Sequence, residues 1–162
     1  MFVFSAKITK KKMITAGLAA VAVIGLLIFV SAKFSGDDNA ADQNTMSTKN
    51  LNTKLKSDTE MLAFLNELGW QVTAKPLEIM EVQIPEQFDA VYSKYNEIQK
   101  NQGLDLEKYK GKEVMRYIFT VTNHPSGEAE VYATLLLYND KLIGGDICSK
   151  KSDGFMQSLY LP

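Results

Sequence analysis

Two segments of the chain space their apolar residues as an amphipathic helix does. The first begins at the capping pattern Ser57 to Glu60 and ends before Gly69, and the second begins at Pro85 and ends before Gly103. The apolar stripes are Met61, Phe64, Leu65 and Leu68 in the first segment and Phe88, Val91, Tyr92, Tyr95 and Ile98 in the second. This period predicts two helices, each with one side turned to a core.

Four other segments have the patterns of strands: the first two alternate apolar and polar residues with a period of two, and the last two carry apolar residues on both faces. These segments are Leu77 to Ile84, Met115 to Thr122, Val131 to Tyr138 and Lys141 to Cys148. Asn139 and Asp140 separate the last two, as in a two-residue hairpin turn. We therefore expect an α+β fold in which two helices form a layer on one face of a mainly antiparallel sheet of about four strands.

An uncharged apolar segment, residues 13–32, precedes these elements. About 20 apolar residues suffice for a helix to cross a bilayer, so we expect one transmembrane helix here. Lysines concentrated in residues 1–12 favour a cytoplasmic tail, which makes the chain a single-pass protein of the cell membrane with its C-terminal part extracytoplasmic. The alternative is a signal peptide cleaved near Ala32, which yields a secreted protein. The length of the apolar segment favours the uncleaved anchor.

Residues 33–57 are polar and predict a flexible linker, and residues 58–162 predict one extracytoplasmic domain. Residues 58–162 carry ten Lys or Arg and sixteen Asp or Glu, a net charge of −6. This charge argues against a nucleic-acid partner. The expected partners are the membrane, through residues 13–32, and an envelope or membrane protein.

The sequence offers no recognisable catalytic or metal-binding constellation. It contains one histidine, His124, and one cysteine, Cys148, so an internal disulfide is impossible. We expect Cys148 to be a small buried residue, and we consider a His124–Cys148 nucleophilic pair the less favoured reading. No catalytic residue, metal or cofactor is predicted.

Asp146 is the residue that best suggests a binding site. Counting outward from the hairpin turn places it opposite Ala133, on an apolar face where an unpaired carboxylate is costly. One interpretation is structural: Gly144 and Gly145 form a bulge that reorients Asp146. The other is a ligand site of Asp146, Gly144 and Gly145, with Arg116 as the cationic partner of Asp146.

The pattern leaves open what surrounds the polar residues of the second helix and what covers the two apolar faces of the hairpin. Asn96, Gln99 and Gln102 are expected on a solvated flank of the second helix rather than in a site. Both faces of the hairpin are apolar, so the segment Phe155 to Leu161 is expected to cover the face that the helices leave open; otherwise that face is a docking surface.

Three signatures carry a resemblance to a known family: GWQV, IPEQFDAVYSKYNEIQKNQGLDLEKYKGKEV and LIGGDICS. Together with the lysine-flanked anchor and the polar linker, they resemble small membrane-anchored, exported proteins of Gram-positive, mostly clostridial, bacteria that share a domain of unknown function. The resemblance covers residues 62–155. It implies an extracytoplasmic location and an α+β fold, and it implies no activity.

These observations favour a membrane-anchored extracytoplasmic binding or accessory module without catalytic activity. One alternative is a small cell-envelope hydrolase or transferase that uses Asp146 with a second carboxylate, such as Asp105 or Glu113. Another alternative is a sensor subunit of a membrane complex.

Overall fold

A computed structural model describes residues 51–161, which form two helices, one 3-10 turn and one sheet. The elements are α1 (Asp58–Glu67), β1 (Glu78–Gln83), α2 (Ala90–Asn101), the 3-10 turn (Leu106–Tyr109), β2 (Glu113–Thr120), β3 (Val131–Tyr138), β4 (Lys141–Ser149) and β5 (Met156–Gln157). Within this part of the chain, neither helix is long and apolar enough to cross a membrane. The predicted tail and anchor, residues 1–32, lie outside the described residues.

Both predicted helices are present, and polar side chains cap them. Ser57 Oγ accepts a hydrogen bond from the Glu60 amide at 3.3 Å, as the capping pattern predicts. The second helix begins later than Pro85, because Asp89 is its N-cap: Asp89 Oδ1 accepts from the Tyr92 amide at 2.7 Å.

The sheet is an antiparallel meander in which the five strands follow one another in chain order. β1 lies at one edge, and the short β5 adds a strand that the sequence pattern does not predict. Asn139 and Asp140 have φ of 50° and 65°, so the β3–β4 connection is the tight hairpin turn that the sequence predicts.

The two helices cover opposite faces of the sheet, which corrects the expectation of one helix layer. α1 packs against the face that carries Leu135 and Leu137, here named the α1 face. α2 and the 3-10 turn pack against the face that carries Leu136 and Ile143, here named the α2 face. Because consecutive strand residues point to opposite sides, the continuously apolar β3 supplies a core to each face.

Residues near both ends of the described chain contribute to the α1 face. Leu51 and Leu55 are buried there, and the Leu55 amide donates to the Asp140 carbonyl at 2.7 Å. The packed domain therefore includes residues of the expected linker. From the C-terminal segment, Leu159 is fully buried, and its carbonyl accepts from Trp70 Nε1 at 2.6 Å. The segment thus covers part of a face that α1 also covers.

Candidate functional site

A bulge in β4 changes the register on which the Asp146 prediction depends. Leu137 lies opposite Leu142, as predicted, but Leu136 lies opposite Gly144. β4 therefore contains one extra residue, Ile143, between the two pairs. The bulge expected near the two glycines is present, and it begins one residue earlier than expected.

The bulge moves Asp146 to the other side of the sheet. Asp146 lies opposite Thr134, and the predicted pairing with Ala133 is wrong because every residue after the bulge is shifted by one. Since strand side chains alternate, a shift of one residue transfers Asp146 from the α1 face to the α2 face. There it is buried beneath α2, with 3% of its surface exposed.

The surroundings of Asp146 are only partly polar. Its Oδ2 accepts a hydrogen bond from the Tyr95 hydroxyl at 2.9 Å, while its Oδ1 is buried without a partner of normal geometry among residues 51–161. Burial raises the pKa of Asp146 to about 6. Hydrogen bonds from Tyr95, Cys148 and Thr134 and the charge of Arg116 oppose that rise without cancelling it.

Arg116 lies on the same face as Asp146 but pairs elsewhere. It stands opposite Leu136 on β2, and its Nη2 donates to Glu78 Oε1 at 2.8 Å. The predicted cationic partner therefore acts on Asp146 through its charge, across the intervening strand β3.

Gly144 and Gly145 are closely packed. A Cβ at Gly144 would lie 3.0 Å from Leu106 Cδ2, and a Cβ at Gly145 would lie 2.7 Å from both Leu159 Cδ1 and the Thr134 carbonyl oxygen. Neighbouring protein atoms thus occupy the space beside both glycines. This packing supports the structural interpretation of the segment, and the ligand-binding role of these glycines, Asp146 and Arg116 stays a prediction.

Gln99 and Gln102 hold β4 against α2, so the expectation of a solvated flank is wrong. Gln99 Oε1 accepts from the Gly145 amide at 2.9 Å, and Gln102 Nε2 donates to the Gly145 carbonyl at 2.7 Å. Gln102 Oε1 also accepts from the Leu159 amide at 2.9 Å. β5 pairs with Ile147 and Cys148 on this edge, and residues 53–55 bond to Asp140 and Leu142. The two glutamine amides therefore replace strand pairing at Gly145, between these two segments.

Asn96 has a similar structural role beside the 3-10 turn. It is buried, donates to Asp105 Oδ1 at 3.0 Å and accepts from the Leu106 amide at 2.8 Å. The spacing of Tyr92, Asn96 and Gln99, at i, i+4 and i+7, is the sequence signal that places these polar residues on the buried stripe.

The structure separates His124 from Cys148. The His124 ring stacks on Trp70 and Phe155, with centroid distances of 5.6 and 4.5 Å, among residues of the α1 face. Cys148 lies on the α2 face, where burial and the neighbouring Asp146 raise the pKa of its thiol. The less favoured reading, a His124–Cys148 nucleophilic pair, is therefore wrong, and residues 51–161 contain no cluster of His, Cys, Asp or Glu suited to a metal.

The β1 side of the α1 face is open. Ile79 is 50% exposed and lies opposite Tyr117, while Glu81 lies opposite Met115. A depression of about 240 Å³ lies on this part of the sheet and is here named the acidic depression. Its lining residues are Glu81, Glu113, Val114, Met115, Tyr117, Leu137, Tyr138, Asn139 and Asp140.

The lining gives the acidic depression a negative potential. Glu81, Glu113 and Asp140 contribute carboxylates, and none of the described lining residues is Lys or Arg. The pKa of Tyr117 is raised by partial burial and by the negative charges of Asp58 and Asp140. Carboxylates beside the Tyr117 ring favour a cationic group. Sequence reasoning named Glu113 only as a catalytic alternative and missed the depression, because its residues come from three strands and a turn.

Comparisons with known proteins identify one family. The model of the family described as "Domain of unknown function (DUF4830)" matches residues 64–147, just over half of the chain, from α1 to β4. No curated protein and no solved structure matches the chain. The match confirms the predicted resemblance to a domain of unknown function, and it bears neither on anchoring or export nor on a clostridial origin.

Proposed function

Because the chain belongs to the family described as a domain of unknown function (DUF4830), we propose its function from its geometry. The protein is a membrane-tethered extracytoplasmic binding module without catalytic activity. Its acidic depression holds a cationic group of an envelope or membrane protein.

The acidic depression is the observation that carries this proposal. Three carboxylates and the ring of Tyr117 surround one concave surface. Its volume of about 240 Å³ lies below the roughly 300 Å³ at which pockets for drug-sized ligands begin. A single lysine or arginine side chain matches this volume better than a whole small-molecule substrate does.

The separate positions of the catalytic candidates support a binding role over a hydrolase or transferase. Asp146 lies beneath α2, where a substrate has no access, whereas Glu113 lines the acidic depression beside the α1 face. Asp105 is engaged as the cap of the 3-10 turn, with hydrogen bonds from Asn96 and from the Glu107 amide. Neither Asp105 nor Glu113, the two carboxylates considered as catalytic partners of Asp146, therefore shares its surroundings.

The sequence before the domain supports the membrane tether. The lysine-flanked apolar segment 13–32 has the length of a membrane span, and the lysines that precede it favour an extracytoplasmic domain. The chain enters the domain next to Asp140, because Leu55 bonds to the carbonyl of that residue. The acidic depression therefore lies at the end of the domain to which the tether is joined, within reach of partners at the membrane.

The ligand assignment is tested with a minimal cationic probe. The probe is Nα-acetyl-lysine N-methylamide, which keeps its charged ε-ammonium group, and it is titrated into the isotope-labelled chain. The uncharged Nα-acetyl-norleucine N-methylamide is the matched control. We expect saturable amide shifts at Met115 and Tyr117 with the lysine probe alone. Glu81→Gln should weaken binding about two- to fivefold, as for an exposed ion pair, and Glu97→Gln, on the exposed side of α2, should leave it unchanged. Equal shifts with both probes, or shifts with neither, would contradict the assignment.

The location is tested by adding a protease to intact cells whose outer wall has been removed. We expect loss of the domain and protection of a fragment that contains residues 1–32. Recovery of an intact chain in the culture medium that begins after Ala32 would instead identify a cleaved signal peptide, and digestion only after lysis would contradict an extracytoplasmic domain.

A further inference from the structure

The outer edge of β1 has no strand beside it in residues 51–161. β1 pairs with β2 along its whole length, and β2 is its only neighbour in this part of the sheet. The Ile84 amide donates to the Lys112 carbonyl at 2.9 Å. Hydrogen bonds alternate along an antiparallel strand, so the N–H and C=O groups of Ile79, Glu81 and Gln83 point away from β2. Such an edge is a template for another strand.

The side chains along this edge are exposed and adjoin the acidic depression. Leu77 is 64% exposed and Ile79 50% exposed, and they are two of the large apolar residues that the described surface leaves uncovered. Glu81 follows Ile79 on the same side of the strand and lines the acidic depression. The free backbone groups and the negative charge therefore meet at one place.

We propose that β1 accepts an extended basic peptide segment of a partner protein as a sixth strand of the sheet. The proposal rests on the proposed function and adds the mode of binding. Main-chain hydrogen bonds hold the segment, and its side chains on the α1 face provide the selectivity. The residue opposite Ile79 is apolar, and the residue two positions away, opposite Glu81, is a lysine or arginine that reaches the acidic depression.

Charge favours a basic partner over a second copy of this chain. The segment from Leu77 to Ile84 contains Glu78 and Glu81 and no lysine or arginine. Pairing two copies of β1 would bring four carboxylates onto adjacent strands, and like charges across strands are destabilising. A basic segment instead places its lysine or arginine beside Glu81, at the rim of the acidic depression that Glu113 and Asp140 also line.

The test uses the full chain in detergent micelles and an eight-residue peptide, TKTVTKTV, that places lysine and valine alternately on one side of a strand. One control peptide has the same sequence with alternate backbone nitrogens methylated, which removes the donors and keeps the charge. A second control, TETVTETV, reverses the charge. Affinity is measured by fluorescence anisotropy, and hydrogen exchange is measured at the outward amides of Ile79 and Glu81.

We expect TKTVTKTV to bind about tenfold more tightly than its methylated form and to slow exchange of the two outward amides, since main-chain bonds supply part of the affinity. TETVTETV should not bind. Glu81→Gln should weaken TKTVTKTV about two- to fivefold, and Glu97→Gln should have no effect. Binding should weaken as salt is added, because the charges are exposed.

The possible failures separate this inference from the proposed function. If the methylated peptide bound as tightly as TKTVTKTV and the outward amides of β1 did not exchange more slowly, strand addition would be overturned. The proposed binding of a cationic group would then still be tested by the lysine probe. Absence of binding by both TKTVTKTV and the lysine probe would overturn both. A second copy of the chain would be identified as the occupant if hydrogen exchange of the β1 amides slowed as the protein concentration was raised without peptide. That result would overturn the proposal of a basic partner.

Discussion

Replacing Asp146 with asparagine removes a carboxylate that the fold buries beneath α2. The side chain is 3% exposed, and the Tyr95 hydroxyl donates to its Oδ2 at 2.9 Å. Its Oδ1 has no partner of normal hydrogen-bond geometry among residues 51–161. The ionised carboxylate therefore loses its hydrogen bonds to water on folding, and the protein replaces only some of them.

The size of the effect follows from the pKa of Asp146, which burial raises from 3.8 to about 6 in the folded chain. Between these values the folded chain binds more protons than the unfolded chain, so the free energy of unfolding falls as the pH rises. The contribution of Asp146 is largest below about pH 4 and is lost by about pH 6 to 7. Two pKa units correspond to about 3 kcal/mol.

The assay is urea unfolding of residues 51–162 between pH 4 and 7.5, followed by the fluorescence of the single tryptophan, Trp70. The free energy of unfolding of the parent chain should fall as the pH rises, whereas that of Asp146→Asn should not, because asparagine does not titrate. The difference between them should therefore change by about 3 kcal/mol in favour of Asp146→Asn from about pH 4 to 7.5. The unpaired amide adds a cost that is the same at every pH. Asp153→Asn, at an exposed position, is the matched control and should show no such trend.

A difference between Asp146→Asn and the parent that stays constant with pH would refute the reasoning. Tyr95→Phe provides a second check, since the Tyr95 hydroxyl stabilises the ionised form of Asp146. Its loss should move the midpoint of the pH dependence above about 6. A midpoint that moves downward would show that Tyr95 does not act on Asp146 as a donor.

Three further substitutions test the packing around the site, each by urea unfolding. Gly145→Ala should cost about 1–3 kcal/mol, because its Cβ would lie 2.7 Å from the Thr134 carbonyl oxygen. Gln102→Ala should cost at least about 2 kcal/mol, since it leaves two buried backbone groups unpaired, the Gly145 carbonyl and the Leu159 amide, and an unchanged stability would contradict this structural role of Gln102. Leu55→Ala should cost about 2–5 kcal/mol if residues of the expected linker belong to the core, and a neutral result would restrict the domain to residues after it.

Local patterns predicted the elements well. The capping side chain of Ser57, the alternation in β2 and the apolar runs of β3 and β4 extend over only a few residues each, so the sequence alone identifies them. The turn at Asn139 and Asp140 is equally local, because both residues adopt positive φ at small cost. By contrast, β5 is two residues long and depends on β4 for its pairing, which leaves no pattern to detect.

The candidate sites were harder to predict because they depend on contacts between distant segments. The sequence shows that Gln99 and Gln102 are polar, but only the fold shows that an unpaired edge of β4 needs their amides. The acidic depression likewise exists because α1 leaves the β1 side of its face open, and no local pattern reports where a helix stops covering a sheet.

The sequence by itself determined the helices, the hairpin, the acidic charge of residues 58–162 and the membership in a family. The tertiary structure alone decided that the helices lie on opposite faces and that Asp146 faces α2. The physical reason is the period of a strand: one extra residue, Ile143, reverses the side to which every later side chain points. Whether that residue bulges depends on the packing of both faces together, which a linear pattern does not contain.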